Sequence, residues 1–163
     1  GVSESAPVTA GGESPLASFG GESDAPSSSL PFTILLVEDD PAHAMVIARA
    51  FESVRSVVRV DHYQDGQDAI DALVAQASRP DLVLLDLKLT GLQGLDVLAQ
   101  IKSDVGMRSI PVVVLTTSVS DHDRAEAFRR HANAYIQKPE GLDEFRAVAG
   151  ALVGFWAGCH VRR

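Results

Sequence analysis

Only one cysteine, Cys159, stands among the 163 residues, near the C-terminal end. A lone thiol closes no internal disulfide and builds no cysteine zinc site, and it points to a reducing compartment. No apolar run approaches the roughly 20 residues of a membrane span. The amino-terminal stretch lacks the pattern of Lys or Arg followed by an apolar run that marks a secretory signal. These absences read as a cytoplasmic protein without membrane attachment. Basic charge is scarce as well: 14 Lys and Arg face 22 Asp and Glu, for a formal charge of −8. A binder of phosphate backbones needs a basic face, so DNA is not an expected partner. His43, His62, His122, His131 and His160 are scattered without metal spacing and read as surface or packing residues.

Residues 1–30 hold Glu4, Glu13, Glu22 and Asp24 with no Lys or Arg, and are rich in Ser, Gly, Ala and Pro. Such a segment buries too little apolar surface to offset its ordering entropy, so a disordered tail is expected. The pattern changes at Pro31. Residues 31–158 alternate short apolar strands with helical periodicity, and 159–163 form a short C-terminal end. Strands are expected at 32–38, 57–63, 81–86, 110–116 and 133–138. Helices are expected at 41–53, 65–77, 94–104, 120–132 and 141–158. Asp40-Pro41 reads as an N-cap followed by a first helical residue. The first helix places Ala44, Ile47, Ala48 and Phe51 on one face, and the second Ala69, Leu73 and Ala77. Strict alternation of strand and helix implies an α/β fold with a parallel sheet covered on both sides. Continuously apolar runs such as Leu82–Leu85 and Val112–Leu115 suit strands buried on both faces. The natural topology is a doubly wound, five-stranded sheet in flavodoxin-like order 2-1-3-4-5.

In such a sheet, ligands bind beyond the carboxyl ends of the strands, where the strand order reverses. The first strand ends in Glu38-Asp39-Asp40, the third in Asp86, the fourth in Thr116 and the fifth in Lys138. Singly, each residue has a plain reading: cap, turn or solvated strand end, with the acids favoured by the helix dipole. Together they place carboxylates, a hydroxyl and an ammonium on one rim. Crowded carboxylates call for a hard cation, and Mg²⁺ takes oxygen ligands and keeps several waters. Asp39 and Asp86 can supply direct oxygens, Glu38 can bind through water, and a backbone carbonyl beyond Asp86 can add another. A carboxylate can also attack phosphorus to give an aspartyl phosphate, with the metal and Lys138 neutralising phosphoryl oxygens and Thr116 hydrogen-bonding one of them.

At "ILLVEDDP", "DLVLLDLKLTGLQGLDVL", "IPVVVLTTS" and "ANAYIQKP" the chain resembles the receiver domains of two-component response regulators over about residues 32–157. The thirty residues from Asp86 to Thr116 and the twenty-two from Thr116 to Lys138 are the spacings of that family. The resemblance implies that Asp86 is the phosphoacceptor. It implies that Glu38, Asp39, Asp86 and the main-chain carbonyl of Lys88 hold Mg²⁺. It makes Thr116 the switch hydroxyl, Lys138 the phosphoryl clamp and Tyr135 the switch aromatic; Asp40 is left to helix capping. A sensor histidine kinase is the implied phosphodonor. No output module follows the last helix, so a stand-alone regulator acting through protein–protein contacts is expected. "VEDDPAHAMVIARAFE", "VVVLTTS" and the late "FW" are most like regulators paired with phytochrome-type, including bacteriophytochrome, kinases.

Three positions depart from the family pattern. Thr90 stands where a Pro is usual, and His131 where a Gly is usual. Glu140-Gly141 follows "KP" in place of an apolar residue, which leaves the start of the last helix open. If position 131 requires positive φ, His carries some strain there. Near the end of the last helix, Leu152 reads as core. Phe155 and Trp156 suit a self-association surface, and the subfamily resemblance implies a homodimer through the fourth and fifth helices and the fifth strand. Three other readings use the same residues: a receiver-like module that binds without phosphorylation, a haloacid-dehalogenase-type phosphatase, and a flavodoxin-like cofactor binder. For the phosphatase, "DLKLT" (86–90) offers Lys88 where the second acid belongs. For the flavin binder, "EDDPAH" is acidic where a phosphate loop belongs. Enzymatic turnover is therefore not expected.

Overall fold

The five strands are runs of four to six residues, wholly apolar at Leu82–Leu85 and interrupted by polar residues elsewhere, as at Arg59, Asp61 and His62. In the computed structural model, which describes residues 30–54 and 57–158, they are β1 (Phe32–Val37), β2 (Val58–Tyr63), β3 (Leu82–Leu85), β4 (Val112–Thr116) and β5 (Ala134–Gln137). Between and after them run α1 (Pro41–Glu52), α2 (Gly66–Val74), α3 (Gly94–Ser103), α4 (Asp121–Arg129) and α5 (Leu142–Gly158). The expected tail and the C-terminal end with Cys159 lie outside the described residues, apart from Leu30. Among the described residues no helix is long and apolar enough to cross a membrane.

All strands pair in parallel, in the order β2-β1-β3-β4-β5. This is the doubly wound order expected from the alternation of elements. The registers Val37↔Leu85 and Leu85↔Val114 align the carboxyl ends of β1 and β3, and β4 runs two residues farther, to Thr116. Period-two alternation then divides the core into two layers. Leu35, Val37, Val83, Leu85, Val112 and Val114 face α2, α3 and α4. Ile34, Leu36, Leu82, Leu84, Val113 and Leu115 face α1 and α5. Each of these side chains is essentially fully buried, at roughly 1.5–3 kcal/mol apiece relative to exposure. The central strands are therefore the rigid part of the domain, and whatever follows their last residues is held firmly.

Local chemistry sets the helix ends. Asp40 caps α1, accepting from Ala42 N–H (2.9 Å) and His43 N–H (3.4 Å), with Pro41 at the first helical position. Those bonds hold the Asp40 carboxyl below the usual range. Asp65 caps α2 and Ser120 caps α4 in the same way. The last helix, whose start was open, begins at Leu142, with Gly141 O accepting the first helical bond from Phe145 N–H.

Several elements are shorter than expected: α4 ends at Arg129, not at 132, and β4 begins at Val112, not at 110. The second helix ends at Val74, not at 77. Gln76 turns to φ 58°, Ala77 N–H reaches Ala72 O and Gln76 N–H reaches Leu73 O, a Schellman closure on a non-glycine residue. Ala77 is consequently exposed, and Ile70 and Ala72 join Ala69 and Leu73 in the core. In α1 the fourth buried position is Ala50, and Ala48 is half-buried. The contact of α1 with α5 as well as with the sheet shifts its buried stripe sideways. His131 does take positive φ, 74°, and closes α4 by the same motif, with Ala132 N–H bonded to Ala127 O.

Candidate functional site

The backbone ladder runs one residue past β1 and β3. Glu38 N–H bonds to Tyr63 O (3.0 Å) and Asp86 N–H to Val37 O (3.1 Å). Both carboxylates are thus carried by the sheet itself, on either side of the point where strand order reverses. Glu38 is 1 % exposed and Asp86 6 %. Asp39, next in chain, is half-buried. One carboxylate oxygen from each of Glu38, Asp39 and Asp86 lies within 4.8 Å of the others.

Lys138, which by itself reads as a solvated strand end, has a side chain only 5 % exposed. Its Nζ lies 2.6 Å from Glu38 Oε1 and donates to Asp86 Oδ2 at 3.0 Å. Burial alone would push this ammonium down in pKa, but the hydrogen bonds and charges of Glu38 and Asp86 outweigh it and hold it above the usual lysine range. The Glu38 carboxyl is held above the usual carboxylate range. Burial pushes its carboxyl up, and the contacts with Lys138 and with Asp40 N–H (3.1 Å) only partly offset that. The other oxygen of Asp86, Oδ1, accepts from Lys88 N–H at 3.2 Å. The Lys88 side chain points to solvent.

The loop beyond Asp86 is braced without the usual proline. Gly91 takes φ 74°, and the Gln93 side-chain amide donates to Leu89 O at 2.8 Å. Gly94, the first residue of α3, presses on this loop: a Cβ there would lie 2.3 Å from Asp86 O and 2.5 Å from Leu87 Cα. Only glycine lets the helix sit this close, and that contact sets the height of the Asp86 backbone.

Thr116 ends β4 fully buried, with its Oγ1 accepting from Ser118 N–H at 3.3 Å. Tyr135 lies on β5 opposite Val114, packs on the α2–α4 side and donates its hydroxyl to Ser118 O at 3.3 Å. The sheet therefore brings Glu38, Asp39, Asp86 and Lys138 into one cluster, with Thr116 on the adjacent strand end. Tyr135 touches the loop after Thr116.

Three participants carried no functional reading in the sequence. His43 Nδ1 lies 3.0 Å from Lys138 Nζ, and His62 Nε2 lies 2.8 Å from Glu38 O. Ser118 is buried within the loop that follows Thr116. The available signal for His43 was its place three residues after the Asp40 cap, on the turn of α1 nearest the rim. His62, near the end of the neighbouring strand, had none beyond its register opposite Leu36.

The donor set fits a hard divalent cation. One ammonium against three carboxylates leaves a formal −2 at the rim, all available ligands are oxygens, and at least one, Glu38, is buried deeply enough that its charge needs a partner.

A model of the response regulator receiver domain matches residues 34–149. The chain belongs to the response regulator receiver domain family. It is 44 % identical over 132 residues to the probable methanogenesis regulatory protein FilR2 of Methanothrix harundinacea, covering 78 % of this chain and 85 % of that one. The response regulator Rcp1 of Synechocystis is 35 % identical over 138 residues, covering 79 % and 91 %. The Mn²⁺-bound form of Rcp1 superposes with a TM-score of 0.73 at 31 % identity, over 82 % of this chain and 99 % of that one. The phosphorylated cyanobacterial phytochrome response regulator RcpA superposes with a TM-score of 0.75 at 36 % identity, over 81 % and 98 %.

Receiver domains are the phosphoacceptors of two-component signalling, not conventional enzymes. They bind a divalent metal and interact with sensor histidine kinases. The response-regulator function read from the sequence stands. The dehalogenase-type, flavin-binding and phosphorylation-independent readings find no support in the site or in these likenesses.

Proposed function

We propose that Asp86 is the phosphoacceptor of this response regulator. The N–P bond of a kinase phosphohistidine breaks, a carboxylate oxygen of Asp86 forms the new O–P bond, and the departing imidazole takes up a proton. The observation that carries this reading is the convergence of Lys138 Nζ on Asp86 and Glu38 beside Asp39. It supplies a nucleophile, a cation and an oxygen-ligand set at one rim. Glu38, Asp39, Asp86 and the main-chain carbonyl of Lys88 would hold Mg²⁺, which when bound supplies positive charge to offset that of the phosphoryl oxygens. Lys138 exchanges a carboxylate oxygen for a phosphoryl oxygen and clamps it. Thr116 Oγ1 already accepts from Ser118 N–H, so its own proton is the one it offers to the phosphoryl group. Tyr135 follows the loop inward through its bond to Ser118 O, and the two-state change at α4 alters the surface seen by a downstream protein.

The test is intact-mass analysis of the full chain with acetyl phosphate. One phosphoryl group is expected to add with Mg²⁺ and none after EDTA. Incorporation that ignores EDTA would remove the metal from this scheme. Absence of any adduct, together with failure to bind beryllofluoride, would remove the phosphoacceptor itself.

Likeness to a phytochrome response regulator supports a phytochrome-type histidine kinase as the donor. The acidic balance supports a protein target in the cytoplasm in preference to DNA. The receiver unit is taken as 31–158, flanked by the tail 1–30 and the end 159–163. A homodimer through α4, β5 and α5 is part of the same reading. Phe155 is 58 % exposed and stacks edge-on against Trp156 at 4.8 Å, while Trp156 also covers the α1/α5 core. Sedimentation of the double variant Phe155→Ala/Trp156→Ala is expected to show half the wild-type mass; an unchanged mass would exclude this aromatic pair from the interface.

A further inference from the structure

Thr116 and Tyr135 share no hydrogen bond between their side chains. What joins them is Ser118, two residues beyond Thr116. Its backbone N–H donates to Thr116 Oγ1 and its carbonyl accepts from Tyr135 Oη. Its hydroxyl donates to Asp123 Oδ2 at 2.6 Å and accepts from Ser120 N–H at 3.2 Å. Every polar group of one 5 % exposed residue is thus used, on three separate pieces of the fold. A buried hydroxyl needs its partners, and the bond to the Asp123 carboxylate has the length of a charge-assisted one.

Asp123 lies in the first turn of α4. That helix is weakly held: Ala127 is its one buried side chain, and beyond its C-terminal end Arg130 donates to Leu95 O at 3.1 Å. At the N-terminal end, the Ser118–Asp123 bond ties α4 to the loop that carries Thr116. We infer that Ser118 is a positioning residue whose hydroxyl bond to Asp123 makes the first turn of α4 move with the Thr116 loop when Asp86 is phosphorylated. This rests on Thr116 being the hydroxyl that answers phosphorylation. Ser118→Ala removes the link to α4 but keeps the backbone bonds to Thr116 and Tyr135. The loop can then close on the phosphoryl group without carrying the helix.

The test uses the full chain with Mg²⁺, with and without beryllofluoride. Binding at Asp86 is read by fluorine NMR, and α4 by hydrogen exchange of the peptide 119–130. Wild type is expected to bind and to change its exchange in that peptide. Ser118→Ala is expected to bind with an affinity within about threefold of wild type and to lose at least about half of the α4 change, since coupling and not the acid cluster is removed. Asp123→Ala, which breaks the same bond from the helix side, should reproduce the loss and provides the test if Ser118→Ala fails to fold. The double variant should be no worse than either single one. Asp123→Asn, which keeps an acceptor oxygen, should retain the response. A full α4 change in both Ser118→Ala and Asp123→Ala overturns the inference. Bound beryllofluoride with no α4 change in wild type overturns it as well. Absence of binding in wild type would instead overturn the phosphoacceptor reading beneath it.

Discussion

Asp86→Asn is expected to abolish phosphoryl incorporation while leaving the domain folded. The side chain keeps its shape, but an amide oxygen is a poor nucleophile toward phosphorus, and loss of a nucleophile removes rate by about 10³-fold or more. The amide also has one acceptor oxygen where the carboxylate has two. It can serve Lys88 N–H or Lys138 Nζ, which in the wild type bond to opposite oxygens of Asp86. The lost ion pair destabilises, but relief of repulsion among Glu38, Asp39 and position 86 offsets it, so the melting temperature should move by no more than a few degrees. Intact mass and peptide mapping decide the matter. A phosphoryl group found on Asp86→Asn, at Asp39 for example, would move the acceptor off the third strand.

Lys138→Met is expected to be the most destabilising substitution at the rim. It keeps the length of the aliphatic stem and removes the ammonium that sits between two buried carboxylates. Breaking a buried ion pair from one side costs about 3–5 kcal/mol. Water reaches this rim past half-buried Asp39, which favours the lower end of that range. In EDTA the melting temperature should therefore drop on the order of 10 °C. Mg²⁺ should raise the variant more than the wild type, because a cation replaces the missing ammonium.

The deficit should also depend on pH, through Glu38. Its folded carboxyl is already above the usual range because of burial, and losing Lys138 raises it further. A raised acid binds its proton more tightly folded than unfolded, so stability falls as pH rises through that window. The variant should approach the wild type as pH drops toward the ordinary carboxylate range. Phosphoryl incorporation should slow by roughly 10²–10³-fold for want of the clamp. A melting temperature unchanged in EDTA would show that Lys138 is not the counter-ion of the pair.

Much of the architecture was legible because the physics behind it is local. Leu82–Leu85 and Val112–Leu115 are apolar on every residue, which only strands covered on both faces tolerate, and their neighbours carry helical spacing. Caps such as Asp40-Pro41 use chemistry confined to a few residues. With the parallel order set by that alternation, Glu38, Asp39, Asp86, Thr116 and Lys138 had to reach one rim, since each ends a strand at its carboxyl side.

Errors and omissions arose where the deciding contact is distant or rests on backbone strain. The end of α2 depends on Gln76 accepting a left-handed conformation, which its side chain does not announce. The choice of Ala50 over Ala48 depends on where α5 packs on α1, a contact between segments about a hundred residues apart. Composition and spacing determined the fold class and which residue types meet at the rim, because hydrophobic periodicity and strand-end placement are properties of short segments. Only the tertiary structure decided that Lys138 sits buried against Glu38 and Asp86, that His43 joins it, and that Ser118 links Thr116, Tyr135 and α4. Those pairings are selected by burial, which makes each charge or hydroxyl need a partner, and by packing, which determines which partner lies within reach.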